Sequence, residues 1–284
     1  MNSSGDAISS SDAVLLGIIG GSGMCEFQEI KVIRRVRPNT RYGLPSDDIL
    51  ICEHHGQQVA FLPRHGAKHS IAPHKVPYKA NLAALKALGV RHIVATCICG
   101  SLKQEIPPGS FVLPDQFCNM TWGRDDYADA DDGAFIHLPM ADPYCPRVGQ
   151  SVLESAARQG IVMISQGTVA VIQGPRFTTR AESRVLSSQG FHIVNMTQYP
   201  ECYLARELGM CYAVIASVTD YDVGLGTTLS MDPSNENVVL PIFWENIRKT
   251  KQILLDFVEH HTGQNDCACA ADLVRPYYQH HEEK

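Results

Sequence analysis

"VPYKANLAALKALGVRHIVATCICG" (Val76–Gly100) carries the fold in miniature. Pro77 and Gly89 bracket a segment with apolar residues at 82, 85 and 88, the spacing of one helix face. Straight after that glycine comes "HIVATCI", an apolar run that reads as a strand. A helix that empties into a strand, repeated along the chain, is the signature of an α/β sheet.

Working outward, the pattern recurs. Toward the N-terminus, "AVLLGIIG" (13–20) reads as a buried strand ending in glycines. "DILICE" and "QQVAFL", joined around His54–Gly56, read as a hairpin. Toward the C-terminus come a short strand "SFVLPD", a helix over 148–159 and a strand "GTVAVIQG" (167–174). Next are a helix over 178–190, opened by a threonine cap with Glu182 in its first turns, and the strand "HIVNM". A helix over 199–209 and the strand "CYAVIASVTD" (211–220) come after these. The last helix covers about 235–260, where Pro241 predicts a kink or a later start. Residues 118–147 read as a long, acidic, irregular stretch, the kind that makes contacts or carries function. The expected architecture is α/β: one domain over 13–261, with a central mixed, mostly parallel twisted sheet flanked by helices. A disordered tail (1–12) precedes it and a polar tail (262–284) ends the chain.

Composition narrows the function. The 284 residues are 44% hydrophobic and 19% charged, and the net charge of −6 repels a nucleic-acid backbone. No apolar run reaches the ~20 residues of a membrane span, and the start has no basic segment of the kind that leads a signal peptide. The expectation is a cytoplasmic protein with no nucleic-acid or membrane partner. Ten cysteines include no C-x-x-C, so the expectation is no metal and no cofactor. Cys267 and Cys269, in the polar tail, read as a reduced pair, with a strained local disulfide or pairing elsewhere in the chain as the alternatives.

Ligands of α/β sheets bind at the carboxyl ends of strands. The first strand ends in "GGSG" (20–23), where glycines can aim N–H groups at an anion beside Ser22. It is neither a dinucleotide fingerprint, which fails at Glu26, nor a Walker loop. Another strand delivers Arg64 and His65, and a third Asn195, Met196 and Thr197. Ser22, Arg64, His65 and Thr197 together suit one phosphate-sized anion. A fourth strand ends in "TDYD", where Asp220 and Asp222 face the same way if the strand runs through them. Such a pair alone is an ordinary turn signal. Opposite an anion site, it suggests transfer onto phosphate with a basic leaving group protonated on the far side.

"GIIGGSG", "LPRHGAKHS", "HLPMADPYCP", "IQGPRFTTRAES", "NMTQYPE" and "TDYD" together resemble the trimeric purine nucleoside phosphorylase and methylthioadenosine phosphorylase family, in matching order from about Ala13 to Phe257. The resemblance implies phosphorolysis of 5′-methylthioadenosine to adenine and 5-methylthioribose 1-phosphate, within purine and methionine salvage. The alternative is a broader nucleoside phosphorylase acting on adenosine, other 5′-substituted adenosines or 6-oxopurine nucleosides. Inorganic phosphate is then a co-substrate, held by Ser22, Arg64, His65 and Thr197, with Cys97 where relatives often carry threonine. It further implies Met196 against the ribose, Asn195 among the substrate-binding residues, and Phe177, Thr178, Ile98, Cys99 and Gly100 around the purine. Asp220 would act at N7 and Asp222 at the amino group. Val239 and Leu240, with His137 from a neighbouring subunit, would enclose the 5′ group. A homotrimer is implied, with a hexamer also open.

Overall fold

The computed structural model describes residues 14–24, 30–124, 137–225, 236–264 and 266–269. Strand β5 (His92–Ser101) is the spine of its sheet. β11 (Cys211–Tyr221) runs parallel to β5 along its whole length and occupies one edge. β1 (Leu16–Gly20) takes the other edge in parallel, opposite residues 92–95. β10 (Ile193–Asn195) shares that second edge but runs antiparallel, opposite Gly100 and Ser101. The carboxyl ends of β1 and β10 therefore point toward each other across residues 96–99 of β5, and that gap locates the site.

Beyond β1 the sheet continues through β4 (Gln57–Pro63), β3 (Ile49–His54) and β2 (Lys31–Val36). The β3–β4 hairpin turns on His55 and Gly56, both with positive φ, as a tight twisted hairpin requires. On the far side β10 pairs with β9 (Thr168–Ile172), and β9 with β7 (Gln116–Met120). Two short strands, β6 (Phe111–Val112) and β8 (Met163–Ile164), pair beside β11. Six of the ten described pairings are parallel, so the sheet is mixed and mostly parallel, as expected.

Helices cover both faces. α1 (Tyr78–Ala87) and α4 (Gln198–Glu207) bury Leu82, Leu85, Leu204 and Ala205 in one core. α2 (Pro146–Arg158) and α5 (Glu236–His260) bury Val148, Val152, Ile253 and Leu254 in the other. Neighbouring strand residues divide between the two: Ile19 faces the first core and Ile18 the second. That double coverage is why the strands read as unbroken apolar runs. A small third cluster, with Leu102, Ala170 and Val194, lies under Leu186 of α3 (Arg180–Ser188).

Three details differ from expectation. The exposed edge strand β2 has no apolar alternation to betray it. The first residues of the stretch read as irregular belong to β7, whose pairing with β9 supplies what its polar sequence does not; residues 125–136 lie outside the described residues. α5 passes through Pro241 rather than starting after it. Proline there sits in the second turn, where it removes a single intrahelical bond. The expected N-terminal tail and residues 270–284 lie outside the described residues, while Cys269 packs into the second core. Among the described residues, no helix is long and apolar enough to cross a membrane.

The cap of α3 is reciprocal. The Glu182 N–H donates to the Thr179 hydroxyl at 3.2 Å, and the Thr179 N–H to the Glu182 carboxylate at 2.7 Å. Thr179→Ala is expected to lower stability by about 1 kcal/mol in urea unfolding, with Thr179→Ser keeping most of it. An unchanged midpoint for Thr179→Ala would show that the cap contributes nothing.

Candidate active site

The converging strand ends enclose a cavity of about 860 Å³. Sixteen of the seventeen residues expected at the site line it: Ser22, Arg64, His65, Cys97, Ile98, Cys99, Gly100, Phe177, Thr178, Asn195, Met196, Thr197, Asp220, Asp222, Val239 and Leu240. His137 is exposed and does not line the cavity of its own chain.

At one end the donors gather. Gly21 can only be glycine, because a Cβ there would stand 2.6 Å from the Thr96 carbonyl oxygen. Its N–H donates to the Thr96 hydroxyl at 3.0 Å. That engages Thr96 and leaves Cys97, the next residue of the strand, facing the cavity in the position where a hydroxyl was expected. Gln198 Nε2 donates to the Cys97 sulfur at 3.5 Å. Thr197 stands at the N-cap of α4 yet does not use its hydroxyl to cap the helix, and it lines the cavity. Tyr199 is extended (φ −107°, ψ 133°), so the regular turns of α4 begin beyond it.

Arg64 is 1% exposed. Its Nε and Nη2 donate to the two oxygens of Glu201 at 2.6 Å each, and its Nη1 donates to the Thr96 carbonyl at 2.9 Å. Two of its five N–H groups remain for a ligand. Burial works against the guanidinium charge, but the Glu201 ion pair overrides it and holds Arg64 protonated. The Tyr212 hydroxyl donates to Glu201 at 2.6 Å and completes a fully buried network. His65 Nδ1 lies 2.8 Å from the Ile71 carbonyl. A carbonyl only accepts, so Nδ1 carries the ring proton and Nε2 is an acceptor while the ring is neutral. Burial first, then the Arg64 charge, pushes this histidine down to about 4.

At the other end stand the carboxylates. β11 carries one extra residue between Val218 and Asp220 relative to β5, a bulge that re-aims the side chains beyond it. The Thr219 hydroxyl donates to Asp220 at 2.6 Å. The Thr178 hydroxyl lies 2.7 and 2.8 Å from the two oxygens of Asp222. Both aspartates are buried and flank Gly100: a Cβ there would lie 3.5 Å from Asp220 Oδ2 and 3.6 Å from Asp222 Cβ. Between the two ends, Met196 packs against Gly174, where a Cβ would come 2.6 Å from its sulfur. Buried Asn195 lies beside the Cys97 thiol, and its amide has no conventional hydrogen-bond partner. Phe177 forms part of the rim and is 57% exposed. Anion donors at one end and paired carboxylates at the other can hold an anionic nucleophile and a basic leaving group on opposite sides of one reacting carbon.

The sequence pattern of the phosphorylase superfamily matches residues 15–259. The chain belongs to that superfamily. This phosphorylase is 42% identical over 260 residues to an S-methyl-5′-thioadenosine phosphorylase of Nitrosopumilus maritimus, covering 92% of this chain and 97% of that one. It is 52% identical over 213 residues to one from Mycolicibacterium smegmatis, covering 75% and 79%. Its fold is similar to methylthioadenosine phosphorylase from Schistosoma mansoni in complex with adenine, with a TM-score of 0.83 and 36% identity over 89% of this chain and 93% of that one.

Sequence reasoning missed the parts of the phosphorylase site that hold other parts. Glu201 is the main omission, and its signal was present. Residues 201, 204 and 205 share one face of α4, and a carboxylate on an apolar helix face needs a buried partner. Tyr212 lies within an apolar strand, and only the packing of β11 on α4 brings its hydroxyl to Glu201; Thr219 is the neighbour of Asp220, and its hydroxyl turns back onto that carboxylate locally.

Glu201→Gln leaves the Arg64 charge without its counter-ion and is expected to destabilise the protein by about 3–5 kcal/mol in denaturant unfolding. Wild-type stability would mean that the pair contributes little. His65 is depressed from 6.5 in the unfolded chain to about 4 in the fold, so the unfolded state binds the extra proton between those values. Stability is full above about 6.5 and is lost as pH falls toward 4. His261, buried beside His92 and also pushed down to about 4, shares that window. Melting temperatures of the ligand-free protein between pH 7 and 4 are expected to fall less steeply in His65→Gln. An unaltered slope would rule out a contribution from His65.

Proposed function

We propose that this protein cleaves 5′-methylthioadenosine with inorganic phosphate, releasing adenine and 5-methylthioribose 1-phosphate. The observation that carries the reading is the opposition, in one cavity, of the Arg64–Thr197 anion end and the Asp220–Asp222 carboxylate end. Names of relatives in both sequence and structure comparisons agree with it.

In this reading phosphate sits against the two free N–H groups of Arg64, the Thr197 and Ser22 hydroxyls and the Cys97 thiol. A phosphate oxygen bonds to C1′ as the bond from C1′ to the purine nitrogen breaks. The sugar gains positive charge on the way, and the adjacent phosphate dianion stabilises it. The electron pair departs into the purine, so N7 must gain a proton or a strong hydrogen bond, and Asp220 supplies it. Asp222, oriented by Thr178, accepts from the exocyclic amino group. It has no hydrogen to offer a 6-oxo group, and a buried polar group left unpaired discriminates by about 10⁴-fold. Val239 and Leu240 supply apolar surface for the methylthio end.

The active assembly is a homotrimer of the cytosol. Trp122 and Val185, both largely exposed, line a second cavity of about 640 Å³ that shares Ile172 and Thr178 with the first. An exposed apolar face beside a site supports packing of a second copy there. It also supports delivery of His137 across the subunit boundary.

Base release from methylthioadenosine, adenosine and inosine, each with and without phosphate, tests the reading. The expected result is phosphate-dependent release, fastest from methylthioadenosine and near absent from inosine. Asp220→Asn should cut turnover of methylthioadenosine at least tenfold and narrow its advantage over inosine. Phosphate-independent release, or inosine as the best substrate, would overturn the assignment. Sedimentation should give three chains per particle.

A further inference from the structure

Four cysteines meet outside the catalytic cavity. Cys145 caps the N-terminus of α2, Cys211 begins β11, and Cys267 and Cys269 lie in the segment after α5. Their four sulfurs all lie within 4.8 Å of one another. Tetrahedral zinc with four thiolates at about 2.3 Å places its sulfurs about 3.8 Å apart, so the four are already near that size.

The surroundings suit thiolates. Cys145 stands at the N-cap of α2, so the positive end of the helix lies beside its sulfur. The Arg147 side chain pairs with Asp266 at 3.2 Å, drawing the C-terminal segment onto α2. The Cys145 N–H donates to the Tyr212 carbonyl at 2.9 Å, joining α2 to the start of β11. The Cys211 and Cys267 sulfurs lie 3.2 Å apart, and none of the four is in a disulfide. Five further described cysteines, Cys52, Cys97, Cys99, Cys118 and Cys202, are also free thiols, the usage of a reducing setting where clustered thiolates bind metal more readily than they oxidise. The spacing rule that argued against a metal looks for two ligands on one turn. Here the ligands come from three separate parts of the chain.

We propose that Cys145, Cys211, Cys267 and Cys269 form a structural zinc site that fastens the segment after α5 to the sheet. Binding takes up the ion and releases the thiol protons, with no change of oxidation state. The four protein ligands leave no open position, so the site is closed to substrate. Asp220 lies nine positions along the strand from Cys211, roughly 30 Å, and none of the four cysteines lines the cavity, so the metal takes no part in the reaction.

The test uses the untagged full-length chain expressed with zinc. Elemental analysis is expected to find one zinc per chain, and intact mass under denaturing conditions to show every cysteine as a thiol. Chelation should lower the melting temperature by several degrees, and zinc should restore it. Cobalt(II) loading should give the visible bands of a tetrahedral thiolate site. The double variant Cys267→Ser with Cys269→Ser should lose the metal and the stabilisation while keeping turnover. If that variant fails to fold, the cobalt spectrum of the unaltered protein decides. Absence of stoichiometric metal overturns the proposal, whether the mass then shows free thiols or a loss of two hydrogens per disulfide. Zinc retained by the double variant overturns it equally.

Discussion

The ion pair between Arg64 and Glu201 is the constraint around which the site is arranged. Arg64 comes directly after β4 and Glu201 lies on α4, so their bidentate contact locks a strand end to a helix on the face of the sheet. Both are almost wholly buried, and each charge in such a place depends on the other. The same carboxylate takes the Tyr212 hydroxyl from β11, and the same guanidinium takes the Thr96 carbonyl from β5. Four elements thus meet at one pair. What remains of the guanidinium, two N–H groups in a fixed plane, is aimed before any ligand arrives.

The carboxylate end is built by different means. A bulge in β11 and two threonine hydroxyls orient Asp220 and Asp222, and Gly100 keeps the floor between them low. Neutral hydroxyls position these carboxylates, where an ion pair positions the guanidinium at the other end. One end of the cavity therefore gathers anion donors, and the other carries two buried carboxyl groups that can exchange hydrogen bonds with a nitrogen base. On the proposed reading, that asymmetry rather than any single residue gives the direction of transfer.

The sheet makes the two ends meet. β1 and β10 approach along the same edge of β5 from opposite directions, so their trailing loops share one gap. Parallel pairing throughout would send both ends the same way and spread Ser22 and Thr197 apart. The reversal at β10 is the topological feature on which the site depends.

The strands β1, β4, β5 and β11 and helices α1, α3 and α4 were legible in the sequence because burial on both faces writes long apolar runs, and caps and glycines mark the ends. The lining of the cavity was legible too, since strand ends in an α/β sheet border such clefts, and Arg64, Thr197 and Asp220 stand there. The exposed edge β2 and the polar strand β7 were not legible, because pairing rather than hydrophobicity makes them strands. Glu201, Thr219 and the four-cysteine cluster were not legible as partners either. Local sequence determined which side chains are buried and which segments are helix or strand, because those arise from periodicity. Only the tertiary structure decided which buried charge meets which and which sulfurs converge, because those contacts join residues dozens of positions apart.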